Sequence, residues 1–93
     1  MGQLEDDASF IVRSKHRRKV VRHLARGPAI PAQIREETGQ EYSRISKAIS
    51  DLRSEGLVEL IVSENTKRGR LYEITDRGRE TWEYMVESDM IDE

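Results

Sequence analysis

The chain has no cysteine, two prolines, one tryptophan and one phenylalanine in 93 residues. Without cysteine there can be no disulfide frame, no thiolate metal site and no catalytic thiol. No apolar run approaches the roughly 20 residues that would span a bilayer. The opening Met1-Gly2-Gln3-Leu4-Glu5-Asp6-Asp7 is acidic rather than signal-like, so a soluble, cytoplasmic protein without membrane contact is expected. Aromatic residues at 5% leave too little stacking surface to favour an RNA-binding reading. Hydrophobic residues make up 35% and charged residues 37%, which supports one domain with a modest core and no second domain.

What is present is charge, unevenly placed. The formal net charge of -2 conceals acidic ends around a basic body: residues 1–12 carry -3, residues 80–93 carry -6 and residues 13–79 carry +7. Most of the excess comes from Arg13, Lys15, Arg17, Arg18, Lys19, Arg22 and Arg26, a distribution suited to a polyanionic partner. The alternative is that the acidic ends simply solvate the fold.

Local signals divide the chain into short elements. Ser14 is a suitable N-cap for a helix reaching about Arg26, with Val20, Val21 and Leu24 at helical spacing and Gly27-Pro28 as its stop. The preceding Phe10-Ile11-Val12 is expected to dock as a further helical turn or a short strand. A second short helix follows Ala29-Ile30, with Pro31 in its first turn, Ile34 facing inward and Gly39 closing it. The stretch from Tyr42 to Ser54 then reads as one amphipathic helix, because Ile45, Ala48, Ile49 and Leu52 fall in a single arc at 100° per residue. Ser43, Lys47, Ser50 and Ser54 occupy the opposite face, flanked by Arg44 and Ser46. Helix, glycine turn, helix is the helix-turn-helix unit.

Past Gly56 the pattern becomes extended. Leu57-Val58-Glu59-Leu60-Ile61-Val62 and Arg70-Leu71-Tyr72-Glu73-Ile74-Thr75 read as two strands joined by a polar loop with Lys67, Arg68 and Arg70 at its tip. Thr75 or Asp76 should cap a last helix running to about Asp89. On it Trp82, Met85, Val86 and Met90 form one apolar stripe. That stripe is expected either to pack back on the first helix, the one capped by Ser14, or, together with Phe10, to form a homodimer interface.

Catalytic and metal chemistry find no support. His16 and His23 are seven residues apart on one helix, about 10.5 Å along its axis, too far to share a metal ion. Glu36, Glu37 and the terminal acids lie in polar runs, and Gly69 and Gly78 read as isolated turn glycines rather than a phosphate loop. No enzyme activity, cofactor or metal is expected.

Three phrases together resemble the winged helix-turn-helix regulators of the MarR-like and ArsR-like type found in archaea and bacteria. They are Ser14-Lys15-His16-Arg17-Arg18-Lys19-Val20-Val21 as opening helix, Ile45 to Val58 as recognition helix entering a strand, and Arg70 to Glu80 as second strand and closing helix. The resemblance spans residues 10 to 88. It implies an α+β, mainly α fold: a three-helix bundle, a two-stranded wing and a C-terminal helix, with residues 1–9 and 89–93 as acidic tails. It also implies a double-stranded DNA-binding transcription regulator acting as a homodimer, with helix 41–55 in the major groove and the wing, 63–70, on phosphate or minor groove. Ser43, Arg44, Lys47 and Ser50 would face the bases, Tyr42 and Ser46 would stand at the helix entrance, and Arg44 or Lys47 would read guanine. Lys67, Arg68 and Arg70 would serve the wing. The rival reading is a winged helix that docks a protein partner through its acidic C-terminal helix.

Overall fold

The computed structural model describes residues 2–62 and 69–91. Its elements run α1 Gln3–Val12, α2 Lys15–Leu24, α3 Pro31–Thr38, α4 Tyr42–Ser54, β1 Val58–Val62, β2 Leu71–Ile74 and α5 Asp76–Glu87. This is a mainly helical α+β fold in the order expected of a winged helix. The hairpin tip, residues 63–68, lies outside the described residues, and with it Lys67 and Arg68.

Local chemistry sets most of the boundaries. The Ser14 hydroxyl accepts from Arg17 N at 3.3 Å and so caps α2. The Thr75 hydroxyl accepts from Gly78 N at 3.0 Å and caps α5. Pro31 opens α3, where its missing N–H costs nothing. Gly39 ends α3 in the left-handed region at φ 75, as a sharp turn into α4 requires. Helix α2 stops at Leu24, two residues before Arg26, with Ala25 as its cap.

The core gathers Val20, Val21 and Leu24 of α2, Ile34 of α3, the Ile45, Ala48, Ile49 and Leu52 stripe of α4, and Leu57, Val58, Tyr72 and Ile74 around the hairpin. Strands β1 and β2 pair antiparallel, Val58 with Ile74 and Leu60 with Tyr72, with a register shift before Val62. Ala29, between α2 and α3, adds a third short rung. Its N–H donates to Tyr72 O at 3.0 Å, and Tyr72 N–H donates to Ala29 O at 3.0 Å.

Two expectations are corrected, and the α5 stripe takes one of its two expected places. Residues 1–9 do not form a tail, since α1 begins at Gln3 and buries Ala8 and Ile11 completely. Asp7 is buried as well, 3% exposed, because Arg77 of α5 donates to it from both Nε and Nη2, each at 2.7 Å. Trp82 and Met85 are not surface residues awaiting a second chain. They are buried within this one, on an α5 that packs against α1. Gly78 is not a turn glycine: it sits in the first turn of α5, where an added Cβ would stand 2.2 Å from Leu57 O and 2.7 Å from Ile74 Cγ1.

Helix propensity alone would make Gly78→Ala stabilising by about 1 kcal/mol. The carbonyl in its path reverses the sign, and a loss of about 1–3 kcal/mol or more is expected in thermal melts. Hydrogen bonds from Arg77 hold the Asp7 carboxyl below its ordinary value of 3.8, against the opposing effect of burial. A depressed folded pKa contributes stability that is complete above the unfolded value and is lost as pH falls through the folded one. Asp7→Asn should therefore lose up to about 3 kcal/mol at neutral pH, the low end for a broken buried pair because Arg77 is partly open to water. Its stability should also decline less steeply below pH 4 in acid titrations followed by circular dichroism.

Candidate nucleic-acid interface

Helix α4 is held at its start by the turn before it. Thr38 Oγ1 donates to Ile34 O at 2.7 Å and accepts from Gln40 N at 3.3 Å, which closes α3 and aims the chain into α4. Gln40 is buried, 6% exposed, and its Nε2 donates to His16 Nδ1 at 2.9 Å and His16 O at 3.5 Å. The glycine turn is thereby tied to the first turn of α2.

Once the apolar stripe of α4 faces the core, Tyr42, Ser43, Arg44, Ser46, Lys47, Ser50 and Ser54 are all exposed. The hydroxyl face expected from periodicity therefore lies open. Tyr42 is 45% exposed, with the Arg35 guanidinium 5.2 Å from its ring centroid. Lys47 Nζ lies 3.3 Å from Asp51 Oδ1, a contact at the surface that costs little to break. The Arg44 side chain makes no ion pair or hydrogen bond among the described residues; it lines a crevice with Lys15, His16 and Lys19 of α2. Arg70 is exposed at the root of the hairpin, beside Gly69.

The basic block read as a unit in the sequence splits in two. Arg17 is internal in function: Nη1 donates to Phe10 O at 2.8 Å, Nη2 pairs with Asp51 Oδ2 at 3.1 Å, and its guanidinium lies 3.9 Å from the Phe10 centroid. Arg18 donates to Val12 O, Arg26 pairs with Glu37 at 3.0 Å, and His23 lies against the same carboxylate. Arg13, Lys15, Lys19 and Arg22 make no such contact among the described residues. Periodicity could not make this division, because all of these cations look alike until their neighbours are known.

One carboxyl, one guanidinium and one imidazole are shifted by their surroundings. Burial raises the Asp51 pKa, but hydrogen bonds from Arg17 and Lys47 outweigh it and the carboxyl sits below 3.8. The Arg77 guanidinium is held more basic by Asp7. Burial pushes His16 below 6.5, and the charges of Arg44, Lys15 and Lys19 push it the same way, against Glu41. Among the described residues no group of three or more His, Asp or Glu side chains is placed to hold a metal ion. No helix of the described chain is long and apolar enough to cross a membrane.

The residues expected to meet a second chain separate too. Trp82 and Met85 are used internally, Phe10 and Val86 are partly buried, and Met90 is 37% exposed.

The family model described as HVO_A0261 N-terminal domain matches residues 5–90. The chain belongs to that family. No curated protein matches this family member, but several solved structures share its fold. NMB1585, a MarR family regulator from Neisseria meningitidis, is 25% identical at a TM-score of 0.72, over 82% of this chain and 54% of that one. The MarR family transcription regulator SP03579 gives a TM-score of 0.77 at 18% identity, over 94% and 58%. The transcriptional repressor BigR from Xylella fastidiosa gives 0.74 at 15%, over 95% and 87%. The chain spans only a little more than half the length of the two MarR family proteins. The winged-helix architecture expected from the sequence is thus the fold of this chain.

Arg17 was counted among the cations for a polyanion, yet its contacts are all internal. Arg17→Ala should lower stability by about 2–3 kcal/mol in urea titrations, from lost charged hydrogen bonds and ring packing. Arg17→Lys should recover little of it, because an ammonium lacks the fork that serves Phe10 O and Asp51 together.

Proposed function

We propose that this chain is a double-stranded DNA-binding transcription regulator that acts as a homodimer. The carrying observation is the division of α4. Ile45, Ala48, Ile49 and Leu52 are buried, while Ser43, Arg44, Ser46, Lys47 and Ser50 stand outward, exposed among the described residues. A helix face of short hydroxyls with one or two cations fits a major groove without obstruction and offers donors to base edges and phosphates.

In this reading Ser43, Lys47 and Ser50 meet the bases, with Tyr42 and Ser46 at the groove entrance. Lys47 reads guanine once it leaves Asp51. The segment 63–70 meets phosphate or the minor groove through Lys67, Arg68 and Arg70. The fold shared with MarR family regulators supports the assignment. A second copy would be met by Val86 of α5 and by Met90 just past its end, which retain surface, rather than by Trp82 and Met85.

The deciding measurement is fluorescence anisotropy on a site recovered from a randomised duplex pool, between roughly 50 and 200 mM salt, where phosphate-driven binding falls steeply. Site-selective binding with two protomers per duplex in sedimentation is expected. Lys47→Ala should lose about 1–3 kcal/mol on that site and relax preference at one base pair. Absence of binding at low salt would favour a protein-docking module, with the exposed Glu80, Glu83 and Glu87 of α5 as its acidic face.

A further inference from the structure

The unpaired cations are not scattered. Lys15 and Lys19, one helical turn apart on α2, converge with Arg44 of α4 on one open crevice backed by His16 and Gln40. All three cationic side chains are exposed, and none has an ion-pair or hydrogen-bond partner among the described residues. This placement works against the fold. Like charges at i, i+4 repel, and α2 carries no acid in its first turn, so Lys15 opposes the positive end of the helix dipole. An anion in the crevice would relieve both costs, and Glu41 is the one carboxylate lining it among the described residues.

We propose that this crevice binds one backbone phosphate of the duplex, held by Lys15, Lys19 and Arg44, so that DNA contact extends from α4 across the α3–α4 turn onto α2. The proposal rests on the DNA-binding reading for the source of its phosphate. It assigns Arg44 to the backbone rather than to guanine and leaves base reading on the cationic side to Lys47. The position of Arg44 on α4 agrees, since it lies on the flank turned toward α2 and away from the Ser43, Lys47 and Ser50 face.

His16 reports on occupancy. While Gln40 Nε2 donates to His16 Nδ1, the ring is neutral there. Arg44, Lys15 and Lys19 keep protons off it, and only Glu41 draws them on. A phosphate beside the three cations screens their field and raises the proton affinity of the ring. Rotation of the Gln40 amide then supplies an acceptor for Nδ1–H. Its Oε1 is buried and has no partner among the described residues.

The test combines two measurements on the full chain. Anisotropy of wild type and Lys15→Ala/Lys19→Ala on the recovered site and on unrelated duplex should show the variant weakened about eightfold at 0.1 M salt on both. Its salt slope should fall by about 0.9, one phosphate contact, with sequence preference intact. Arg44→Ala should behave alike. An unchanged slope, or a loss confined to the recovered site, would overturn the proposal. The second measurement is an NMR titration of both histidines in inorganic phosphate against chloride at matched ionic strength. The His16 pKa should rise in wild type and not in the double variant, with His23 as internal reference. If wild type binds no duplex, the DNA reading fails. The crevice then stands as an oxyanion site if His16 responds to phosphate, and is refuted if it does not.

Discussion

The carbonyl oxygen of Leu57 fixes how the two ends of the chain meet. It accepts from Thr75 N at 3.0 Å, which sets β2 against the start of β1, and it leaves no room for a side chain at Gly78. Helix α5 therefore leaves the hairpin at close range. Thr75 fastens the corner a second time, its hydroxyl donating to Gly56 O at 2.8 Å while it caps α5. With that angle fixed, Arg77 is brought to Asp7 and Trp82 and Met85 onto the core, which gives α1 a surface to cover. One carbonyl contact thus decides the fate of residues at both termini.

Arginine does much of the fastening that disulfides do in other small domains. The last four carbonyls of α1 are all satisfied: Ser9 O by Arg13 N, Ile11 O by Ser14 N, Phe10 O by the Arg17 guanidinium and Val12 O by Arg18. Ala25 O at the end of α2 accepts from Arg79 at 3.3 Å. A guanidinium is suited to this work because its planar fork reaches two acceptors at once and stays charged. The lysines at the surface of α2 take no part in it. Residue type thus separates, on this helix, cations that hold the fold from cations turned to solvent, although Arg22 remains with the outward group.

Elements whose signals lie within a few residues were legible in the sequence. Ser14, Thr75, Pro31 and Gly39 each act on their own turn, and the α4 stripe needs only its own period, so those boundaries fell within a residue or two. Helix α1 was missed because Glu5, Asp6 and Asp7 look solvated unless Arg77, 70 residues on, is known to reach Asp7. The destination of Trp82 was left between two alternatives for the same reason, since a stripe does not name its partner. Gly78 reads as a turn former from composition, whereas its role is set by a backbone atom distant in sequence. The outward face of α4 was legible as chemistry, but the pairing of the α2 cations depended on the packing of α1 and α3.

The rung between Ala29 and Tyr72 bears on the fit to a partner. Two hydrogen bonds fasten the hairpin root to the connection between α2 and α3, and the Tyr72 ring lies 5.8 Å from the guanidinium of Arg53 on α4. The helix-turn-helix and the strands are therefore coupled as one rigid head, with the spacing between α4 and the hairpin root built in. A duplex bound by both would have to match that spacing by adjusting its own groove, and sequences stiff in the wrong place would resist. Selectivity would then come partly from the mechanics of the duplex, at base pairs that no side chain touches.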